Sequence, residues 1–193
     1  MFIVFTGLDG TGTSTIAEKL AAKDKGSILL KTPSPEYRDR EVIDKEVRKH
    51  SNLGHFLYYL SSTVYMSDYI KANFDYKANN VYCVRYLIDT YVSNKVAGLP
   101  IEFTYNILGN ELLKPDLTIF INVDETVRQE RITVRGKSEL DKVLDEDVKR
   151  QAFLSEFENV LDKENTYYLD NTDSCLDSKV EELYKFIKKL QRE

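Results

Sequence analysis

No run of apolar residues in this 193-residue chain approaches the about 20 needed to cross a bilayer, so a membrane span is not expected. The start, Met1-Phe2-Ile3-Val4, has no basic segment ahead of its apolar residues, and a secretory leader is not expected either. Cysteine is scarce. Cys83 and Cys175 are too few for a disulfide framework, neither stands in a C-x-x-C, and Cys83 lies in an apolar strand-like run that reads as a buried thiol. Together these absences point to a cytoplasmic protein. His50 and His55 have no Cys or His partner at metal-ligand spacing, so each is expected to be structural or solvated. Basic residues are not in excess: 27 Lys and Arg face 32 Asp and Glu, a net charge of −5. That balance argues against a nucleic-acid polymer as partner, which would call for a basic face. An anionic small molecule remains open, because a local cradle binds phosphate inside an acidic protein.

The composition that is present, 42% hydrophobic and 31% charged, suits a globular domain with a sizeable core. No linker, repeat or low-complexity stretch divides residues 1–193, which read as one domain. Short apolar runs at 2–6, 27–31, 80–84, 117–123 and 166–169 predict strands. Helical periodicity predicts helices over 14–23, 38–49, 54–76, 101–113, 125–134, 145–163 and 176–190. This alternation implies an α/β fold of three layers, a five-stranded parallel sheet buried between helices on both faces. In such sheets the ligand crevice lies beyond the carboxyl ends of the strands, which here means just after Thr6, Lys31, Val84 and Val123. Within 54–76, Tyr58, Tyr65, Tyr69 and Tyr76 share one helical stripe, read as a core or dimer-facing surface in preference to one that stacks bases.

The most informative segment is Gly7-Leu-Asp-Gly-Thr-Gly-Thr-Ser14. Gly7, Gly12 and Ser14 fit the phosphate-loop pattern G-x-x-x-x-G-K-[ST], but its lysine slot holds Thr13. A strand precedes the loop and a helical pattern with Ile16, Leu20 and Ala21 on one face follows it. Backbone amides of such a loop, with a helix N-terminus behind them, form a phosphate cradle that does not depend on lysine. What is missing is a point charge on the β- and γ-phosphates, a contact worth roughly 1.5–3 kcal/mol in binding.

The run Phe2-Ile-Val-Phe-Thr-Gly-Leu-Asp-Gly-Thr-Gly12 resembles the thymidylate kinase family of nucleoside monophosphate kinases. So does Lys114-Pro-Asp-Leu-Thr-Ile-Phe-Ile-Asn-Val-Asp124, followed by Arg128, Arg131 and Arg135-Gly136 on the way into the family's lid, here about 135–143. Tyr167-Tyr-Leu-Asp-Asn171 ahead of a final amphipathic helix is a third match. The departures are specific. Thr13 replaces the loop lysine, Val84-Arg85-Tyr86 keeps the arginine and tyrosine of an Asp-Arg-Tyr motif without its aspartate, and Val64 aligns with a base-contacting arginine of the long helix.

The resemblance implies a phosphate-loop kinase fold that uses ATP and Mg²⁺, with nucleotides as partners and a homodimer as the common assembly. Carried onto this chain, Gly7, Asp9, Gly10, Thr11, Gly12, Thr13, Ser14 and Thr15 hold the ATP phosphates, and the Ser14 hydroxyl serves the metal. Asp9, Arg48, Arg85, Tyr86, Asp89 and Asn94 form the acceptor side; Arg48 is preferred over Arg38 and Arg40 as a further phosphate contact. Arg85, with Arg131, Arg135 and Lys137 from the lid, is the catalytic set. Gly10 stands where one subgroup has a loop arginine, and subgroups with glycine there draw that charge from the lid. The bland alternative for Arg128, Arg131 and Arg135 is solvated helix charge paired with Glu125, Glu130 and Glu139. Three functions are compatible with this sequence: transfer of the ATP γ-phosphate to a nucleoside monophosphate, foremost dTMP; nucleotide binding without transfer; and a kinase for a different or modified pyrimidine nucleotide.

Overall fold

In a computed structural model that describes residues 1–173 and 175–192, five parallel strands form one sheet in the order β2–β3–β1–β4–β5. These are β1 (Phe2–Thr6), β2 (Ile28–Lys31), β3 (Val81–Val84), β4 (Leu117–Asn122) and β5 (Thr166–Asp170). The central strand β1 is buried along its whole length, with Val4 opposite Cys83 on one side and Thr118 on the other. Its residues alternate between two cores, as the period of two of a strand requires. Ile3 and Phe5 face Ile16 and Leu20 of α1 (Thr13–Lys23) and Leu183 and Ile187 of α10 (Leu176–Leu190). Phe2 and Val4 face Met66 and Ile70 of the long helix α4 (Asn52–Asn73). A third cluster joins Phe56 and Leu60 of α4, Tyr91 and Val92 of α5 (Leu87–Val96), and Phe153 and Phe157 of α9 (Asp147–Val160). Each such buried side chain stabilises the fold by about 1.5–3 kcal/mol relative to exposure.

All five predicted strands are present, but the expectation that the sheet is buried on both faces fails at its edges. Leu29 of β2 is 38% exposed and Tyr168 of β5 is 50% exposed, because each of these strands has a neighbour on one side only. The predicted helix 38–49 is composite: α2 (Arg40–Val42) runs through a π-helical turn (Ile43–Val47) into α3 (Arg48–His50). Ser51 then caps α4, its hydroxyl accepting from Gly54 N at 2.9 Å. Because α4 ends at Asn73, Tyr76 leaves the tyrosine stripe. The remaining tyrosines are surface residues, not core. Tyr58 and Tyr65 are half-buried under Tyr37, with ring centroids 5.5 and 6.0 Å away, and Tyr69 stacks on Tyr65. Two helices lie outside the predicted ranges, α5, expected only as a turn-and-helix segment after Arg85, and the short α8 (Glu139–Leu144) of the lid. Between them in sequence lie α6 (Glu102–Glu111) and α7 (Glu125–Arg135), both predicted to within two residues.

Candidate nucleotide-binding site

The loop between β1 and α1 needs glycine where the chain passes close to its neighbours. Gly7 has φ +147° and a Cβ there would stand 2.3 Å from the Ile121 carbonyl oxygen. Gly12 has φ +97°, caps α1, and a Cβ on it would stand 2.6 Å from Asn171 Nδ2. The loop is held in this shape from outside. Asn171 Nδ2 donates to the Thr11 carbonyl at 2.8 Å, Arg131 Nη1 donates to the same oxygen at 3.3 Å, and the Thr11 hydroxyl donates to the Leu8 carbonyl at 2.9 Å. The first-turn amides of α1 have no carbonyl to bind within the helix. Thr13, in the lysine slot, is buried; Ser14 is half-buried and Thr15 exposed.

Beyond the carboxyl ends of β1 and β3, Arg85 holds a left-handed backbone, φ +69°, unusual for a residue with a side chain and costing of order 1–3 kcal/mol. Its guanidinium is shared between two carboxylates: Nη1 donates to Asp89 Oδ1 and Nη2 to Asp9 Oδ1, both at 2.6 Å, and Nη1 also meets the Gly7 carbonyl. Burial works against the charge on Arg85; Asp89 and Asp9 more than offset it and raise its pKa, so it is a fixed cation. Asp89 is anchored in turn by the Thr6 hydroxyl at 2.7 Å and the Tyr86 amide at 3.1 Å. Arg85 thus presents its fork beside the phosphate loop, a geometry suited to phosphate oxygens.

These residues floor a cavity of about 580 Å³. Phe153, Phe157 and Leu144 give it an apolar wall. Arg40, Asp44 and Arg48 enter from the α2–α3 segment, His55 and Tyr59 from α4, and Lys137, Ser138 and Leu140 from the lid. Of the predicted acceptor residues, Asp9, Arg48, Arg85, Tyr86 and Asp89 line this cavity; Asn94 does not. It is buried behind the wall, where its Oδ1 lies 3.3 Å from His55 Nδ1. Val64 also stands outside the cavity, whose α4 residues are His55 and Tyr59.

The lid arginines divide. Arg131 lies at the loop, its Nη1 3.9 Å from the place of a Cβ on Gly12, with Nη2 donating to the Asn171 carbonyl at 2.8 Å. Arg135 is half-exposed and bonded at 2.6 Å to the buried Asp141, and Lys137 pairs with Asp145 at 2.7 Å. The solvated-charge reading of Arg128 is half right. It does pair with Glu125, at 2.7 and 2.8 Å, yet it is only 1% exposed and donates to the Asp9 carbonyl at 3.1 Å, beneath the loop. Asp44, His55 and Tyr59 were missed as cavity residues, and Arg40, ranked below Arg48, lines the cavity with it. The spacing Arg40, Asp44, Arg48, every fourth residue, was the available signal.

The sequence profile described as thymidylate kinase matches residues 5–182. The chain belongs to the thymidylate kinase family. A Methanococcus aeolicus protein named "Probable thymidylate kinase" is 29% identical over 197 residues, covering 98% of this chain and 95% of its own. A Mycoplasmopsis agalactiae "Thymidylate kinase" is 32% identical over 143 residues, 64% of each chain. Among solved structures, thymidylate kinase from Candida albicans superposes with a TM-score of 0.73 at 19% identity, over 98% of this chain and 92% of that one, a likeness of fold. The family makes this a nucleoside monophosphate kinase fold with its phosphate loop in place. The residues also fit the family's metal. Among the described residues no cluster of His, Cys, Asp and Glu could hold a metal alone. Mg²⁺ in kinases does not need one, since it is bound through phosphate oxygens, waters and one or two protein oxygens such as the Ser14 hydroxyl.

Proposed function

We propose that this protein transfers the γ-phosphoryl group of ATP to a nucleoside monophosphate, with dTMP as the acceptor. The observation that carries the reading is Arg85, held by Asp9 and Asp89 at the junction of the amide cradle and the large cavity. An acceptor phosphate on the Arg85 fork has one oxygen directed at the γ-phosphorus of ATP lying along the loop. The new O–P bond forms as the β–γ bridging O–P bond breaks, and ADP leaves with the bridging oxygen. Catalysis of this kind is positioning plus stabilisation of charge on the transferring group. When bound, Mg²⁺ would neutralise charge on the donor phosphates, and the Ser14 hydroxyl is the side chain that would hold it. Arg85 fixes the acceptor, Asp9 receives a sugar hydroxyl, and the amides of residues 9–15 hold the β-phosphate. Arg131, beside Gly12, brings the cation that Thr13 does not. The names carried by the relatives support dTMP as acceptor.

The experiment is transfer of label from γ-labelled ATP across the common ribo- and deoxynucleoside monophosphates. Labelled dTDP is the expected product, and Thr13→Lys is expected to raise turnover about 10-fold or more, in line with one added preorganised charge. A folded protein that binds ATP and transfers label to no monophosphate would overturn the kinase reading.

A further inference from the structure

The long helix lacks an arginine in the cavity, yet the cavity contains a second polar cluster that the phosphate chemistry does not use. Asp44 stands in the π-helical turn Ile43–Val47, and single π turns recur at functional sites because the extra residue redirects side chains. Asp44 Oδ1 accepts from the Tyr59 hydroxyl at 2.7 Å and lies 3.1 Å from His55 Nε2. His55 is 5% exposed and fixed from behind by Asn94. The Asn94 amide is oriented in turn, because its Nδ2 donates to the Thr90 carbonyl at 2.8 Å and leaves Oδ1 for the histidine. Burial pushes the Tyr59 hydroxyl pKa up, and the neighbouring Asp44 pushes it further, so the phenol remains a donor. Burial acts to raise the Asp44 pKa, and the bonds from His55 and Tyr59 outweigh it, so Asp44 is a carboxylate and acceptor only. All three side chains line the same cavity as Arg85.

We propose that Asp44, flanked by Tyr59 and His55, is the specificity determinant for the acceptor base and reads the imide N3–H of a 2,4-dioxopyrimidine. The inference rests on the kinase reading above and names the residues that select its acceptor. A carboxylate acceptor with a hydroxyl donor beside it complements the edge of thymine or uracil, where N3–H sits next to a carbonyl oxygen. A 4-aminopyrimidine turns the N3 lone pair toward the carboxylate instead, and a site built around a hydrogen bond rejects a partner that leaves its buried groups unpaired. The N3–H donates to Asp44 while the Tyr59 hydroxyl turns toward a flanking carbonyl oxygen and His55 stays fixed behind the carboxylate. No bond is made or broken.

The test is equilibrium binding, by titration calorimetry, of dTMP, N3-methyl-dTMP and dCMP to the wild-type protein, Asp44→Asn and Tyr59→Phe, with ATP binding measured in parallel. Wild type is expected to bind dTMP about 10- to 100-fold more tightly than either analogue, the range of one hydrogen bond to a charged group. Asp44→Asn is expected to reduce that preference to within about 3-fold while ATP affinity is unchanged. Tyr59→Phe keeps the ring and the fold and is expected to lower dTMP affinity while leaving that for dCMP alone. Equal wild-type affinity for all three ligands, or a preference that survives in both variants, would overturn the assignment while the kinase reading stands. Binding of ATP with none of the three monophosphates would overturn the acceptor reading and this proposal with it.

Discussion

Two carboxylate centres, one buried and one half-buried, sit at opposite ends of the same sheet, and they are built differently. At the amino ends of the strands, Asp24 is 4% exposed and fully partnered. Its Oδ2 accepts from Asn80 Nδ2 and the Tyr82 hydroxyl, both at 2.7 Å, and its Oδ1 pairs with Lys188 at 2.8 Å. At the carboxyl ends, Asp9 and Asp89 share the single guanidinium of Arg85, which stands on a strained backbone and faces a cavity. The first centre joins α1, β3 and α10 and has every donor committed to another element of the fold. The second keeps its cation between two acceptors at the edge of a cavity, where an incoming phosphate reaches the same guanidinium. Closed pairing holds a fold together, whereas shared pairing beside a cavity leaves a charge available for a ligand.

Exchanging the residues of the two centres should therefore produce separate defects. The largest is expected at Arg85: Arg85→Ala lowers kcat/KM by about 10³-fold or more, since it removes the acceptor-phosphate fork and leaves two carboxylates facing the phosphates. Arg85→Lys keeps the charge without the bidentate geometry and should recover only part of that loss. Steady-state kinetics with the transfer assay checks both. Near-normal activity in Arg85→Ala would remove the functional half of the contrast.

At the other end, Asp24→Asn is expected to destabilise the protein by about 2–3 kcal/mol, because Lys188 loses its charged partner and the buried hydroxyl and amide donors lose a strong acceptor. For a chain of this size that is a fall in Tm of about 4–12 °C. KM for ATP should not move. Thermal unfolding followed by circular dichroism, alongside kinetics on the same preparation, separates the effects.

A smaller and sharper test sits within the lid. Arg131→Ala is expected to lower turnover by about 10- to 100-fold, whereas Arg135→Ala acts mainly through Asp141, whose buried carboxylate it strips of a partner. Arg135→Ala should then show a loss of lid order in hydrogen exchange, with turnover reduced by less than in Arg131→Ala. The reverse ranking would place the catalytic charge on Arg135.

The contrast between the two centres also marks what could be read before the fold was seen. The strands and the glycine spacing of the phosphate loop were legible because local pattern determines them, and the place of Arg85 beyond a strand's carboxyl end followed from the strand before it, whereas Asp89 was carried over from the family resemblance. The edge exposure of Leu29 and Tyr168 was not, since a strand's place in the sheet depends on pairing between distant segments. Asp24, Asn80, Tyr82 and Lys188 are spread over the whole chain, and nothing in their local sequence joins them. The π-helical turn that brings Asp44 to His55 has no periodicity of its own, so His55 read as a lone histidine. Arg128 looked like surface charge because helical spacing shows which residues share a face but not what covers that face. Here the face is the underside of the phosphate loop.

The smallest expected effect is the dependence of stability on acid, and it belongs to the closed centre. Burial acts to raise the pKa of Asp24, but the bonds from Lys188, Asn80 and Tyr82 outweigh it, and the folded value lies below the ordinary 3.8. Above 3.8 the carboxylate is charged in both folded and unfolded chains, and its full contribution to stability is present. As pH falls below that value the unfolded chain takes up the proton first, and the contribution is gone once pH has passed through the folded pKa. Urea unfolding of wild type and Asp24→Asn between pH 7 and pH 3 checks this, these limits being set by about one unit or more around the ordinary carboxylate range. The gap between the two proteins should be constant down to about pH 4.5 and begin to close below it. A gap that instead closes near neutral pH would mean that Asp24 is already protonated there, and that Lys188 holds a different partner.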